Sequence, residues 1–101
     1  MPQNRKIAKR RNEGEKMSSI LAVFRSRAQT LEYVMRLKSN GINAAAVSTP
    51  REANVGCGLS AKIGAYDLAR ARSVLAYCNR SAFVGFFRVE NNCGRTYVYP
   101  V

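Results

Sequence analysis

The spacing of apolar and polar residues along the chain predicts four strands and two helices. Short apolar runs indicate buried strands at residues 19–24, 42–47 and 82–89, and the alternation in residues 59–63 indicates a half-buried strand. Amphipathic helical stretches follow the first strand and the strand at 59–63. The predicted order of elements along the chain is therefore β-α-β-β-α-β.

Local signals mark the ends of the helices. Ser26, followed three positions later by Gln29, is a capping-box pattern that predicts a helix start, and Asn40-Gly41 predicts the end of that helix. Asp67 is a residue type that can cap the second helix. The predicted apolar face of the first helix comprises Ala28, Leu31, Val34, Met35 and Leu37. The predicted apolar face of the second helix comprises Leu68, Ala71, Val74, Leu75 and Cys78.

This order of elements predicts an α+β fold of the ferredoxin-like type. Because β-α-β crossovers are right-handed, a βαββαβ chain forms a split sandwich with an antiparallel sheet and both helices on one face. In the last strand, alternation predicts that Phe83 and Phe87 point one way and Val84 and Phe86 the other. Two apolar faces both require cover, which predicts either a homodimer or an extra strand from "TYVYPV", residues 96–101.

The chain has room for one domain, with a segment on either side of it. We expect a basic disordered leader at residues 1–18, the ferredoxin-like domain at 19–90, and a tail at 91–101 that contains the extra strand. Residues 1–16 carry six positive and two negative side chains and almost no aliphatic residues, a composition that does not bury enough surface to fold. Three interpretations of this leader stay open: an arm that binds nucleic acid, a solubilising segment, and an untranslated stretch before a true start at Met17.

The overall charge and the apolar runs limit the cellular context. A net charge of +11 favours attraction to polyanions without showing that one is bound. No apolar run approaches the roughly 18–20 residues of a membrane helix, and no apolar segment follows the N-terminal charges. We therefore expect neither a membrane span nor a signal peptide.

The cysteine and histidine counts exclude several kinds of chemistry. Three widely spaced cysteines form an odd set, which favours a reducing, cytoplasmic environment over a secreted disulfide framework. The absence of histidine rules out Ser-His and Cys-His catalytic pairs. Without histidine or a C-x-x-C motif there are too few ligands for a structural zinc, so we expect no metal and no cofactor.

Cys57 has the surroundings most typical of a functional cysteine. It lies between Gly56 and Gly58 in a ten-residue segment, residues 49–58, that joins the second and third strands. This is long for a hairpin connection, which usually takes about two to five residues, and such loops often carry function. Arg51 and the loop amides are candidates for stabilising a thiolate. In the alternative interpretation, the glycines shape a tight turn and Cys57 packs inward.

The other two cysteines have simpler interpretations. Cys78 lies on the apolar face of the second helix, where a free cysteine behaves as a small core residue. Cys93 lies in "NNCGR", a turn-like stretch that predicts exposure. Either it pairs with Cys57 in an oxidised state or its placement is incidental.

Three stretches resemble a known family. "TPREANVGCGLSAKI" is similar to the signature of small bacterial proteins described as selenium/sulfur carrier-like, in which a "TPRE"-like turn precedes a Cys-Gly pair. "AVFRSRAQTLEYV" and "NGINAAAV" resemble the strand and Ser-capped helix with which that family opens, and its step into the second strand. The resemblance covers residues 19 to about 89 and leaves the leader and the tail unmatched.

The resemblance implies a cytoplasmic carrier, not a turnover enzyme. The carrier thiol would be Cys57, which accepts sulfur or selenium as a persulfide or perselenide and passes it to an acceptor. Cys93 is then a candidate resolving thiol. The implied partners are a donor protein, such as a cysteine desulfurase, and an acceptor. The residues implied to shape the loop and stabilise the thiolate are Thr49, Pro50, Arg51, Glu52, Gly56 and Gly58.

Two other classes of function remain open from the sequence. A small basic nucleic-acid-binding module is suggested by the ferredoxin-like order, the charge, residues 1–16 and "FVGFFRV". However, the RNP1 pattern belongs on the third strand of such a domain and "FVGFFRV" lies on the fourth. The second class is a regulatory or dimerisation domain without chemistry, for which Cys57 would be dispensable.

Overall fold

Five antiparallel strands and two helices make up residues 16–53 and 55–101, the part of the chain that the computed structural model describes. Between β3 and α2, residues Ala65–Asp67 form one 3₁₀ turn. The elements are β1 (Lys16–Phe24), α1 (Arg27–Ser39), β2 (Ala44–Ser48), β3 (Leu59–Ile63), α2 (Leu68–Leu75), β4 (Phe83–Asn92) and β5 (Arg95–Pro100).

The strands form one sheet in the spatial order β2-β3-β1-β4-β5, and every neighbouring pair is antiparallel. The first four strands have the order of a ferredoxin-like split sandwich, so the predicted α+β fold is confirmed. Both helices pack on one face of the sheet around a common core. The buried residues of this core are Ile20, Ala22, Phe24, Tyr33, Val34, Leu37, Ile42, Ala44, Ala61, Ile63, Ala71, Leu75 and Phe86.

Helix α1 begins and ends where the sequence predicts. The Oγ atom of Ser26 accepts a hydrogen bond from the backbone N–H of Gln29 at 3.2 Å. The Gln29 side chain does not complete a reciprocal capping box. Instead its amide donates to Ser81 Oγ and accepts from the backbone N–H of Ala82, at 2.9 and 3.0 Å. Gln29 therefore ties the first turn of α1 to the segment that leads into β4.

The predicted apolar face of α1 is confirmed for Val34 and Leu37 and wrong for Ala28, Leu31 and Met35, which are exposed. Leu31 and Met35 are 43% and 71% exposed, and the buried stripe runs through Thr30 and Tyr33 to Val34 and Leu37. Tyr33 sets this orientation: its ring packs 5.5 Å from that of Phe24, and its hydroxyl donates to the backbone carbonyl of Ala71 at 2.6 Å. A pattern of apolar residues does not reveal such a bond, because the acceptor lies 38 positions away.

Helix α2 buries the face that the sequence predicts. Ala71 and Leu75 are buried, and Leu68, Val74 and Cys78 pack against the core. Asp67 occupies the predicted N-cap position, but its side chain makes no capping hydrogen bond. Its carboxylate lies instead 3.6 Å from a guanidinium nitrogen of Arg70.

A bulge in the pairing of β1 with β4 changes the predicted grouping of side chains, since Phe83 lies on the face of Phe86 and Val84 on the face of Phe87. Val23 pairs with Gly85 and Phe24 with Phe83, so Val84 has no partner and the alternation shifts by one residue. Phe83 therefore joins Phe86 on the helix side, with ring centroids 5.1 Å apart. Val84 and Phe87 belong to the smaller cluster on the other face.

The C-terminal tail contributes a strand at the edge of the sheet. Strand β5 pairs with β4 along Asn92–Phe87 and does not lie over either face, although Val98 joins the smaller cluster opposite Val89. The predicted extra strand is thus present, at the edge of the sheet, while the homodimer stays a prediction. The predicted leader at residues 1–18 falls mostly outside the described residues, and strand β1 already begins at Lys16. Within the described part of the chain, neither helix has the length and apolar character needed to cross a membrane.

Candidate functional site

The loop of residues 49–58 is held at both of its ends. The backbone N–H of Thr49 donates to the carbonyl of Gly58 at 2.9 Å, and the hydroxyls of Thr49 and Ser60 are hydrogen-bonded to each other. Within the loop, the N–H of Ala53 donates to the carbonyl of Pro50 at 3.0 Å and forms a turn. These bonds therefore close the base of the loop, where it leaves β2 and enters β3.

Gly56 packs directly against the end of strand β1. Its φ is +83°, and a Cβ atom placed on it would lie 2.5 Å from Val23 Cγ1 and 2.8 Å from the carbonyl oxygen of Phe24. Residues with a side chain rarely adopt this φ, and the space next to Gly56 is already occupied. Gly58 has a φ of +90° but has no atom within 4 Å of such a Cβ. The two glycines thus have different roles: Gly56 permits close packing, while Gly58 only permits the turn.

The backbone of Cys57 is fixed to the same strand. Its N–H donates to the carbonyl of Phe24 at 2.9 Å, which places the cysteine at the carboxyl end of β1 and beside the first turns of α1. The Cys57 side chain is half-buried. The sequence left open whether Cys57 packs inward or is reactive. In the structure Cys57 lies on a fixed backbone and has part of its surface in solvent.

The sulfur of Cys57 contacts two polar atoms. It lies 3.6 Å from the carbonyl oxygen of Leu59, to which the S–H can donate, and 3.8 Å from Thr30 Oγ1. Thr30 is fully buried, and its hydroxyl also lies 3.0 Å from the carbonyl oxygen of Ser26. Because a hydroxyl can both donate and accept, Thr30 can accept from the thiol or donate to a thiolate.

Arg51, predicted to stabilise the thiolate, lies elsewhere on the loop. It is exposed and lines a depression of about 470 Å³. The other lining residues are Arg25, Thr49, Pro50, Val55, Gly56 and Gly58. Within the described ranges, the hydrogen-bond contacts of the Cys57 sulfur are with Thr30 and Leu59 and not with Arg51. Glu52 is exposed beside Arg51. Arg51 therefore lines the depression, whereas the sulfur of Cys57 contacts Thr30 of α1.

The structure does not bring Cys93 to Cys57. Cys93 is exposed in the turn that follows β4, with a φ of +54°. Phe24, which anchors Cys57, pairs with the first residue of β4, so the ten residues of that strand separate the two thiols by about 30 Å. Within one chain, Cys93 therefore lies too far from Cys57 to form a disulfide with it in this fold.

Cys78 is partly buried after the end of α2. Its S–H donates to the carbonyl of Val74 at 3.3 Å, and burial raises the pKa of the Cys78 thiol, with a smaller opposing effect from Arg36. A thiol with a raised pKa is less often the nucleophilic thiolate. The interpretation of Cys78 as a small core residue agrees with this environment.

Sequence reasoning missed two residues of this region, Thr30 and Arg25. Thr30 had a recognisable signal, since it is a polar residue at the spacing of the buried stripe that includes Tyr33 and Leu37. Arg25 had none, because its place beside the loop depends on how β1 ends against residues 49–58.

The structure is thus a small ferredoxin-like α+β domain that holds a half-buried cysteine, Cys57, between two glycines of positive φ. A family model described as "Putative Se/S carrier protein-like" matches residues 19–79, which is more than half of the chain. The chain belongs to this family, and the resemblance noted from the sequence is confirmed. No curated protein and no solved structure matches the chain.

Proposed function

We propose that this protein carries sulfur or selenium on Cys57 as a persulfide or perselenide. The observation that carries the proposal is the position of Cys57, a partly exposed residue on a backbone fixed by Phe24, with its sulfur within reach of Thr30. A carrier needs both features, because the thiolate must be stabilised and the outer atom must remain reachable. The family description agrees with this role.

Cys57 is better suited to this role than the other two thiols. Cys78 lies within the matched residues but has a pKa raised by burial, which disfavours the nucleophilic form. Cys93 lies outside residues 19–79, at the far end of β4. Cys57 alone of the three combines membership of the matched region with a neighbouring hydroxyl, that of Thr30, which can donate to a thiolate.

The transfer needs no base beyond the thiolate itself, which suits a chain without histidine. The Cys57 thiolate attacks the terminal sulfur of a donor persulfide, a new sulfur–sulfur bond forms, and the donor leaves as its own thiolate. An acceptor nucleophile then attacks the outer sulfur, and Cys57 departs as a thiolate. Each step exchanges one bond to sulfur for another, so no external oxidant or reductant is consumed. The same sequence of steps holds for selenium.

Thr30 supports both forms of Cys57. While the cysteine is a thiol, the hydroxyl proton of Thr30 satisfies the carbonyl of Ser26 and its oxygen can accept from the S–H. When the thiolate forms, rotation of the hydroxyl lets Thr30 donate to the sulfur. In this proposal Thr30 has the thiolate-stabilising role that the sequence suggested for Arg51.

The proposed partners are a protein persulfide donor, such as a cysteine desulfurase, and an acceptor, both in the cytoplasm.

The rival function, RNA binding through "FVGFFRV", requires aromatic rings on the sheet face that the helices leave open. Phe83 and Phe86 are part of the helix-side core, which leaves Phe87 from this strand for stacking. This distribution of rings favours the carrier.

The proposal is tested by measuring the intact mass of the protein after incubation with a cysteine desulfurase and cysteine. We expect a gain of one sulfur that reductant removes, and peptide mapping that assigns it to Cys57. Cys78→Ser and Cys93→Ser are the matched controls and should accept sulfur normally. A Cys57→Ser protein that gains sulfur as readily as the unaltered protein would contradict the proposal, as would equal labelling of all three cysteines.

A further inference from the structure

Two arginines line one depression beside the loop that carries Cys57, and the carrier chemistry does not use them. Arg25 follows the last residue of β1, and Arg51 lies in the turn of residues 51–53. They come from segments 26 positions apart, yet both line the depression of about 470 Å³ described above. Backbone from Gly56 and Gly58 forms another part of its lining. The fold therefore builds a concave surface with two cations at its edge.

Within the described residues, neither arginine forms an ion pair with a carboxylate, although Glu52 follows Arg51 in the turn. The structure records an ion pair between Arg70 and Asp67, but among residues 16–53 and 55–101 it records none for Arg25 or Arg51. Both arginine side chains are exposed. Each guanidinium offers several N–H donors in a planar fork that matches the oxygens of a carboxylate, sulfate or phosphate.

The depression lies on the other side of the glycine turn from the sulfur. Its lining includes the two neighbours of Cys57 and also Val55, which belongs to the cluster on the helix-free face of the sheet. The Cys57 sulfur faces Thr30 of α1, on the helix side. An anion in the depression would thus contact the residues on either side of Cys57 without occupying the position of the transferred atom.

We propose that this depression is an oxyanion-binding subsite formed by Arg25 and Arg51. Its purpose rests on the proposed function: it anchors the anionic part of the donor or acceptor while Cys57 exchanges sulfur on the other side of the turn. The ligand chemistry is an oxyanion, supplied either by a small free anion or by a carboxylate side chain that a partner protein presents.

The test is a titration of the isotopically labelled protein, followed by the amide NMR signals of Thr49, Arg51, Gly56 and Gly58. The probes are inorganic phosphate, sulfate and a short glutamate-containing peptide, each added at constant ionic strength. The test variant is Arg25→Ala/Arg51→Ala. The control variant is Lys38→Ala/Arg95→Ala, which removes the same charge from two exposed residues outside the depression.

We expect saturable shifts confined to the loop, and a loss of affinity of about tenfold or more in the test variant but not in the control. Tighter binding of phosphate or sulfate identifies a free anion as the source, and tighter binding of the peptide identifies a protein carboxylate. Shifts spread over the basic surface, or equal weakening in the two variants, would overturn the subsite. Cys57→Ser should bind the anion normally, so a failure of sulfur transfer and a failure of this subsite are separate results.

Discussion

The side-chain oxygen of Thr30 lies 3.8 Å from the sulfur of Cys57, although the two residues are 27 positions apart in the sequence. Thr30 is fully buried on α1, and Cys57 is held against the end of β1 by its backbone N–H. The contact therefore depends on three elements packing together. It supplies the thiol with a hydroxyl that can change from acceptor to donor as the proton leaves.

Replacing Thr30 by valine should slow the reactions of the Cys57 thiolate. The substitution keeps the shape of the side chain and removes the hydroxyl, which costs about 1 kcal/mol of stabilisation, or about a fivefold decrease in rate. The measurement is the rate of iodoacetamide alkylation at pH 7 in a Cys78→Ser/Cys93→Ser background. Thr30→Ser keeps the hydroxyl and should react much like the unaltered protein. Equal rates in the valine and serine variants would show that the contact has no influence on the sulfur.

Replacing Gly56 by alanine should destabilise the fold more than replacing Gly58. Both positions have a positive φ, which costs a residue with a side chain about 1–2 kcal/mol. At Gly56 the new methyl group also collides with Val23 and with the backbone of Phe24, whereas at Gly58 it meets open space. Urea denaturation of the two variants measures the difference in unfolding free energy. Gly94→Ala, at a φ of +81° with open surroundings, is a control that should resemble Gly58→Ala. An equal loss at Gly56 and Gly58 would contradict the close packing described here.

Cys78 should be the slowest of the three cysteines to react with alkylating reagents. Burial raises the pKa of its thiol and also limits access to the sulfur. A pulse of iodoacetamide followed by peptide mapping should leave Cys78 largely unmodified at pH 7, with modification increasing as the pH is raised. The exposed Cys93 is the internal reference for an accessible thiol. If Cys78 were labelled as fast as Cys93 at pH 7, its assignment to the core would be wrong.

The stability of the protein should fall at alkaline pH in a way that depends on Tyr33. Burial, with a smaller contribution from Cys78, raises the pKa of the Tyr33 hydroxyl above its ordinary value of about 10. The unfolded chain therefore loses this proton first as the pH rises. The contribution of Tyr33 to stability is fully present below about pH 10 and declines above that value.

Tyr33→Phe separates this effect from the titration of other groups. At neutral pH the variant should lose about 1 kcal/mol, because the hydrogen bond to the carbonyl of Ala71 is removed. Denaturant titrations at several pH values should then show the difference between the two proteins shrinking above about pH 10. A difference that stays constant, or grows, between pH 9 and pH 11 would contradict the assignment.

Much of the architecture followed from local patterns. Strand β3 occupies the residues predicted for it, α1 starts after Ser26, and Gly41 follows its end with a φ of +79°. These features are set by alternation, capping and left-handed closure, which involve residues within a few positions of one another. The family was also recognisable from the sequence, because the segment that includes Gly56, Cys57 and Gly58 is continuous along the chain.

The sequence by itself thus determined the order of the elements, the fold class and Cys57 as the candidate thiol. Only the tertiary structure decided which face of α1 is buried, because Tyr33 selects it through a bond to Ala71. It likewise decided that Phe83 lies in the core, that Thr30 contacts the sulfur, and that Arg25 and Arg51 line the same depression. The physical reason is that these features depend on a bulge and on contacts between segments far apart in the chain. Such contacts form, and contribute to stability, only when the sheet and helices have packed together.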